Sequence, residues 1–201
     1  DQVSPKRCGH MRGKELIDPR EMCKKIEAMA KARRDPDFIV NARTDAIAVE
    51  GIDAAIRRAR MYRDAGADLV YPDAIESEDQ IKRFVDEVKA PVSISMGFGL
   101  RSRPTTPLVS VKRLQAIGVA RVSYSRLLTS SALRGMMNAL EAFRQHVDAD
   151  AVPQRPDLCA PMDDIAALMN YPLVRELESQ FMLEDELDRR YKDGSRDPVR
   201  H

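Results

Sequence analysis

Long apolar runs are missing from this chain. Its 201 residues are 32% charged and 43% hydrophobic, and no apolar stretch approaches the roughly 20 residues needed to cross a bilayer. An excess of charge of either sign is missing too. The 33 basic and 32 acidic residues leave a formal net charge of +1, so no global field draws the chain to nucleic acid or to an anionic membrane. The opening Asp1-Gln2-Val3-Ser4-Pro5 lacks the apolar core of a signal peptide and an initiator methionine, and it reads as the middle of a longer protein. Cysteine is scarce: Cys8, Cys23 and Cys159 are far apart and odd in number. That argues for reduced thiols in a cytoplasmic compartment, against a disulfide framework or a zinc knuckle. What remains is a soluble globular composition, long enough for a sizeable core.

What is present is a repeated strand–helix alternation. Asp18-Pro19-Arg20-Glu21 opens a helix, with Asp as N-cap, Pro in the first turn and Glu at the capping-box position. It is expected to run to about Arg34, ahead of a short apolar strand at Phe38-Ile39-Val40. A helix over about Ile52 to Ala65 stops at Gly66. Leu69-Val70-Tyr71 is the next strand, and Ser77 caps a helix to about Lys89. The strand Pro91–Ser95, a helix from Ser110 to Ile117, the strand Arg121–Tyr124 and a long helix from Leu128 to His146 follow. Short apolar strands separated by helices cannot pair as hairpins and imply parallel strands with helical crossovers. The repeat of roughly 25–35 residues suits a (β/α) barrel. A barrel needs eight strands and roughly 250 residues, so the missing strands are expected before Asp1. Residues 1–148 read as the later portion of a barrel and 149–201 as a linker with C-terminal helices. In that tail, 162–169 and 173–191 read as amphipathic helices, their stripe of Leu173, Leu177, Phe181, Leu183, Leu187 and Tyr191 packing on the same chain or on a neighbouring subunit.

The element Lys6-Arg7-Cys8-Gly9-His10 sets a thiol among cationic side chains, beside a glycine that lets backbone approach a ligand. Positive charge stabilises a thiolate and suits it to proton transfer or nucleophilic attack; a cysteine that is merely buried or merely exposed is the alternative. In a barrel, active residues sit on loops at the C-terminal ends of strands. Arg43 and Asp45, Asp73, the segment from Ser95 to Arg103, and Tyr124 to Arg126 all occupy such positions. The Arg43 fork suits bidentate capture of a carboxylate or a developing enolate, or a salt bridge to a neighbouring acid. Arg101 and Arg103 read as an anion patch or a solvated loop, and Gly97 with Gly99 as a phosphate turn or simply a tight loop.

The segments Pro5–His10, Asn41-Ala42-Arg43-Thr44-Asp45-Ala46, Ala65-Gly66-Ala67-Asp68, and Pro91 through Thr105-Thr106-Pro107 resemble, in order and spacing, the isocitrate lyase / phosphoenolpyruvate mutase superfamily over about Asp1 to Phe143. The resemblance implies a Mg²⁺-dependent (β/α)₈ enzyme that acts on 2-oxo or 2-hydroxy carboxylates through a pyruvate-type enolate. It also implies helix-swapped dimers assembled into tetramers, with a small carboxylate as substrate and neither nucleic acid nor membrane as partner. Cys8 matches the general acid/base of the gating loop, to which Lys6, Arg7, Gly9 and His10 also belong. Arg43 matches the arginine on the substrate carboxylate and oxyanion. Cys8, Arg43, Lys6 and His10 are therefore the expected catalytic set, and Arg43, Gly9, Asp73, Ser95, Arg101 and Arg103 the expected substrate-binding set. Asp73 departs from the glutamate usual in the lyases, and Ser95 from the asparagine of many members. Asp1 matches the acid of a Glu-Asp pair. No residue here is assigned as a metal ligand, since the principal ones are expected upstream of Asp1.

Within that superfamily the thiol separates the branches. Enzymes that make or break P–C bonds need no acid for an enolate carbon, whereas carbon–carbon lyases do. Cys8 thus favours retro-aldol cleavage of a 2-hydroxy di- or tricarboxylate of the methylisocitrate or substituted-malate type. Oxaloacetate hydrolysis or decarboxylation and a phosphonopyruvate-type mutase are the alternatives within the superfamily. A noncatalytic fragment or interaction protein is the alternative outside it.

Overall fold

In the computed structural model the described residues are 1–9, 11–98, 106–147, 149–150 and 154–191. They fall into two compact units, Asp1–Ser130 and Ser131–His201.

The first unit begins with residues that return on themselves. Gln2 and Leu16 form an antiparallel bridge, flanked by Val3 N–H on the Glu15 carbonyl (3.0 Å) and Ile17 N–H on the Asp1 carbonyl (3.0 Å). The chain between them is a loop clipped at its base. Helix α1 (Pro19–Ala32) follows. Asp18 caps it by accepting from Arg20 N–H at 2.8 Å. The expected capping box does not close: Glu21 pairs instead with Lys25, one turn on, at 2.9 Å.

Strand β1 is Asn41–Thr44, displaced from the expected Phe38–Val40. Asp35 sets up a turn that accepts Phe38 N–H at 3.1 Å, and Phe38 and Ile39 stay 60% and 56% exposed. The ladder starts only where the neighbouring strand is reached. Asp68 takes the Val40 N–H with its carboxylate (2.9 Å), and Leu69 donates to the Val40 carbonyl (3.3 Å). A short helix α2 (Ile47–Glu50) then runs into α3 (Ile52–Asp64). Next come β2 (Leu69–Pro72), α4 (Glu78–Val88), β3 (Ser93–Ser95), α5 (Val111–Ile117) and β4 (Arg121–Ser123). Ser77 and Ser110 cap α4 and α5 as N-caps do, accepting from Gln80 and Arg113 N–H. Gly118 ends α5 in the left-handed conformation (φ 97°), which costs a residue without Cβ little.

Every described strand pairing in this α/β unit is parallel, as helical crossovers require. β1 pairs with β2 in the register Arg43↔Tyr71, and β3 with β4 in the register Ser95↔Ser123. A single parallel bridge, Val70↔Val92, joins β2 to β3. The core lies between strands and helices, where Ile26, Tyr62, Val70, Ile81, Phe84, Val92, Ile94 and Leu114 are fully buried or nearly so. Parallel strands buried on both faces carry such apolar runs. The strands therefore share one polarity, and their C-terminal ends carry Asp45, Asp73, Met96 and Tyr124.

Helix α6 (Leu127–Val147) has no buried residue. The second unit continues with α7 (Met162–Leu168), α8 (Tyr171–Phe181) and α9 (Glu184–Tyr191). The single helix expected over 173–191 is broken at Met182, which is extended (φ −100°, ψ 153°). Glu184, Asp185 and Glu186 lie in the first turn of α9, where acidic side chains favour a fresh N-terminus over helix interior. Tyr191 Oη donates to Glu178 at 2.6 Å, and the Arg175 guanidinium lies 4.1 Å from the Tyr191 ring. Those contacts hold the α8–α9 turn. No helix among the described residues is long and apolar enough to cross a membrane.

Candidate active site

β1 and β2 are cross-strand neighbours, and that register builds the site. Arg43 and Tyr71 are paired positions, so their side chains stand on one face of the sheet, the guanidinium 5.5 Å from the Tyr71 ring centre. Two residues beyond Tyr71 along the same strand direction lies Asp73, brought to the same face by the two-residue period of a strand. Arg43 Nε and Nη2 donate to the two oxygens of Asp45, at 2.8 and 2.9 Å. Arg43 Nη2 also donates to Asp73 Oδ2. Tyr71 Oη and Ala74 N–H both donate to the other Asp73 oxygen, at 2.9 Å. Ser95, on β3, is close enough to the Tyr71 hydroxyl to work slightly against its upward shift, and its hydroxyl lies 3.4 Å from that of Ser125 at the end of β4. Arg43, Asp73 and Tyr71 thus form one hydrogen-bonded chain, with Ser95 beside it at the end of β3.

The acids are buried and the arginine is not. Asp45 and Asp73 are 2% and 6% exposed, whereas the Arg43 side chain is 40% exposed. Burial works against the charge on Asp45, but the Arg43 hydrogen bonds and charge outweigh it and hold the carboxyl below its ordinary range. Burial likewise opposes the charge of Arg43; the Asp45 bonds and the charges of Asp73 and Asp45 prevail and keep it protonated. Tyr71 is pushed well above the ordinary phenol range, first by burial and then by the Asp73 charge. It therefore stays a neutral donor.

Beneath β1, the Asp1 carboxylate sets the backbone that presents Asp45. It accepts from Thr44 Oγ1 (2.8 Å), Asp45 N–H (2.9 Å) and Tyr62 Oη (2.6 Å), with Arg58 Nη1 at 3.6 Å.

The loop clipped by Gln2 and Leu16 bends over this pair. Gly9 is buried, and its backbone lies against Asp73 and Arg43. A Cβ built on it would overlap the Asp73 carboxylate, 2.6 Å from Cγ, and stand 2.8 Å from Arg43 Nη2. A side chain there would have to displace the Asp73 carboxylate from Arg43. Gln2 braces the loop from its base: its amide donates to the Arg7 carbonyl and accepts the Arg7 N–H, both at 2.9 Å, and it helps to keep the Asp45 carboxyl low. Lys14, buried within the loop, donates to the carbonyls of Gly9 and Met11.

The structure therefore brings together Gly9, Arg43, Asp73 and Ser95 of the expected site. Lys6 and Cys8 are exposed on the same loop. His10, Arg101 and Arg103 lie outside the described residues. Asp45, Tyr71, Lys14 and Gln2 are additional members. Asp45 is marked in the sequence by its strand-end position and Tyr71 by its two-residue spacing from Asp73; Lys14 and Gln2 carry no such signal, because only the folded loop gives them partners. Phe98 and Tyr124, after β3 and β4, stack edge to face at 6.0 Å.

Among the described residues, no group of three or more His, Cys, Asp or Glu side chains is arranged to hold a metal ion. Asp45 and Asp73 are engaged by Arg43 and Asp1 by its three donors, so these acids do not fit a magnesium site, which calls for free carboxylates and water.

Residues 3–144 match the phosphoenolpyruvate phosphomutase family. The chain is 42% identical over 142 residues to 2-methylisocitrate lyase of Escherichia coli, which covers 70% of this chain and 45% of that protein. Its fold is similar to that of oxaloacetate acetylhydrolase bound to 3,3-difluorooxalacetate, with a TM-score of 0.77 and 26% identity over 90% of this chain and 59% of the other. It is also similar to 2,3-dimethylmalate lyase, with a TM-score of 0.74 and 25% identity over 90% and 58%. The chain spans about half the length of the curated relatives it matches. With a family match that runs through the clipped loop, both paired strands and the Arg43–Asp73 face, the chain belongs to the phosphoenolpyruvate phosphomutase family, within the phosphoenolpyruvate mutase/isocitrate lyase superfamily.

Proposed function

We propose that this chain is the later part of a (β/α)₈ barrel enzyme that cleaves a carbon–carbon bond in a 2-hydroxy di- or tricarboxylate of the methylisocitrate or substituted-malate type. The observation that carries the reading is the seating of Gly9 against the Arg43–Asp73 pair, which sets the Lys6–Gly9 loop over an anion-binding arginine. Kinship supports it, since 2-methylisocitrate lyase and 2,3-dimethylmalate lyase are among the proteins it is similar to.

In the cleavage, a base takes the proton of the substrate 2-hydroxyl, and the electron pair left on that oxygen forms the π bond of the new carbonyl. The C–C bond breaks, and its electron pair passes into an enolate. Arg43 holds the carboxylate and the developing oxyanion of that enolate, where a charged fork in a partly dry site is most effective. Tyr71, kept neutral, is a further donor beside Asp73. The Cys8 thiol delivers the proton to the enolate carbon, and the closed loop keeps water from doing so. Magnesium enters the reading through the family alone; the described acids do not supply its site, and no step is drawn through it. Arg101 and Arg103 remain candidates for a distal carboxylate.

A homo-oligomer belongs to the same reading. Leu128, Met136, Leu140 and Phe143 of α6 are 81%, 58%, 65% and 64% exposed, an apolar load that a neighbouring subunit would cover. The free state of Cys8, Cys23 and Cys159 supports a reducing, cytoplasmic setting.

The likeness to oxaloacetate acetylhydrolase favours oxaloacetate hydrolysis as the second reading. The test is the full-length protein assayed on methylisocitrate, isocitrate, substituted malates, oxaloacetate and phosphonopyruvate, each with Mg²⁺ and with chelator. Cleavage of a 2-hydroxy acid is expected. Turnover of oxaloacetate alone would promote the second reading, and turnover of phosphonopyruvate alone would overturn the lyase.

A further inference from the structure

Lys14 is a buried ammonium, 9% exposed, inside a loop whose neighbours are mostly in solvent. Its Nζ donates to the Gly9 carbonyl and, at 2.9 Å, to the Met11 carbonyl. The same turn is closed by Met11 N–H on the Cys8 carbonyl at 2.8 Å. Burying a charge is costly unless its donors are used. Here they are used on the carbonyls of Gly9 and Met11, which Lys14 holds together.

The consequence falls on two residues at once. Lys14 holds the Gly9 carbonyl while the Cα of the same residue faces Asp73 and Arg43. Cys8, one residue earlier, is left exposed. From these contacts we infer that Lys14 is a positioning residue, the internal latch that shapes the Cys8–Met11 turn and holds the loop down on the Arg43–Asp73 pair. The inference rests on the proposed function only in making the latch serve catalysis; the latch itself is a statement about the loop.

The test keeps those two apart. In the full-length protein, trypsin cleavage after Lys6, Arg7 and Arg12 reports loop opening with no substrate present. Lys14→Met keeps the apolar stem and removes the ammonium. It is expected to speed cleavage at those three bonds by about tenfold or more, in the manner of a local opening, with the melting temperature unchanged. Lys14→Arg, which still offers donors to both carbonyls, is expected to recover most of the protection. With a turned-over substrate, Lys14→Met is expected to lower kcat far more than it changes KM, because Arg43 still binds the carboxylate.

Wild-type protection in Lys14→Met would overturn the latch whatever the activity. Faster cleavage without any loss of kcat would keep the latch and separate it from the lyase reading. If Lys14→Met fails to fold, Lys14→Gln, uncharged and one bond shorter than lysine, takes its place, and cleavage of that variant at the wild-type rate would likewise overturn it.

Discussion

Gly9 and Asp73 are 64 positions apart in sequence and share one volume: a methyl group on Gly9 would coincide with the Asp73 carboxylate. The loop and the strand end therefore constrain each other. Gly9→Ala is expected to hold the loop off the site and to lower turnover by about 10²-fold, the cost of misplacing a reacting group by an ångström. Combining it with Asp73→Ala removes the obstruction, so tryptic protection of residues 6–12 returns in the double variant. Protection undiminished in Gly9→Ala alone would show that the two residues do not meet in solution.

Arg43→Lys isolates the fork. Arg43 donates to both oxygens of Asp45 and to Asp73, and an ammonium cannot reproduce that geometry. Turnover in the full-length enzyme is expected to fall by about 10²–10³-fold, as for loss of an oxyanion donor. A lysine variant with near-normal kcat/KM would remove Arg43 from the oxyanion role.

Cys8→Ser keeps shape and exposure but replaces the thiol with a much weaker acid. Loss of roughly 10²–10⁴-fold in kcat with KM nearly unchanged is the expected result. Full activity in the serine variant would exclude proton delivery by Cys8.

Asp45 gives a pH signature. Its folded carboxyl titrates below the ordinary value of 3.8, with burial opposing and the Arg43 bonds and charge prevailing. The stability it contributes is present above that ordinary value and is lost as pH falls through the lowered folded value. Equilibrium unfolding of wild type and Asp45→Asn from about pH 6 downward should show the acid limb flattened in the variant. Parallel limbs would mean that Asp45 is not held by Arg43 in solution.

The exposed face of α6 predicts assembly. Each large apolar side chain buried there contributes roughly 1.5–3 kcal/mol. Leu140→Glu with Phe143→Glu should therefore convert an oligomer of the full-length protein into smaller species in sedimentation. A wild-type monomer at micromolar concentration would refute the association.

The alternation of helices and short apolar strands, the serine N-caps of α4 and α5, the Gly118 stop and the parallel pairing were all legible in the sequence. Each rests on local chemistry: a side-chain oxygen over free N–H groups, a residue without Cβ, short apolar runs spaced by helices. Motif and strand-end position also pointed to Gly9, Arg43, Asp73 and Ser95, and the first three meet in the folded chain. Tertiary structure alone decided the rest. It moved β1 from Phe38–Val40 to Asn41–Thr44, since a strand exists only where a partner accepts its bonds, and Val40 meets its partner at Asp68 and Leu69. It split the last helix at Met182, where an acidic run gains more from a new N-terminus than from helix interior. It also recruited Lys14 and Gln2, whose partners, the carbonyls of Gly9, Met11 and Arg7, are near in sequence but come within reach only through the path of the folded loop. Hydrogen-bond partners across a fold are set by register and loop path, and no local pattern in a chain encodes those directly.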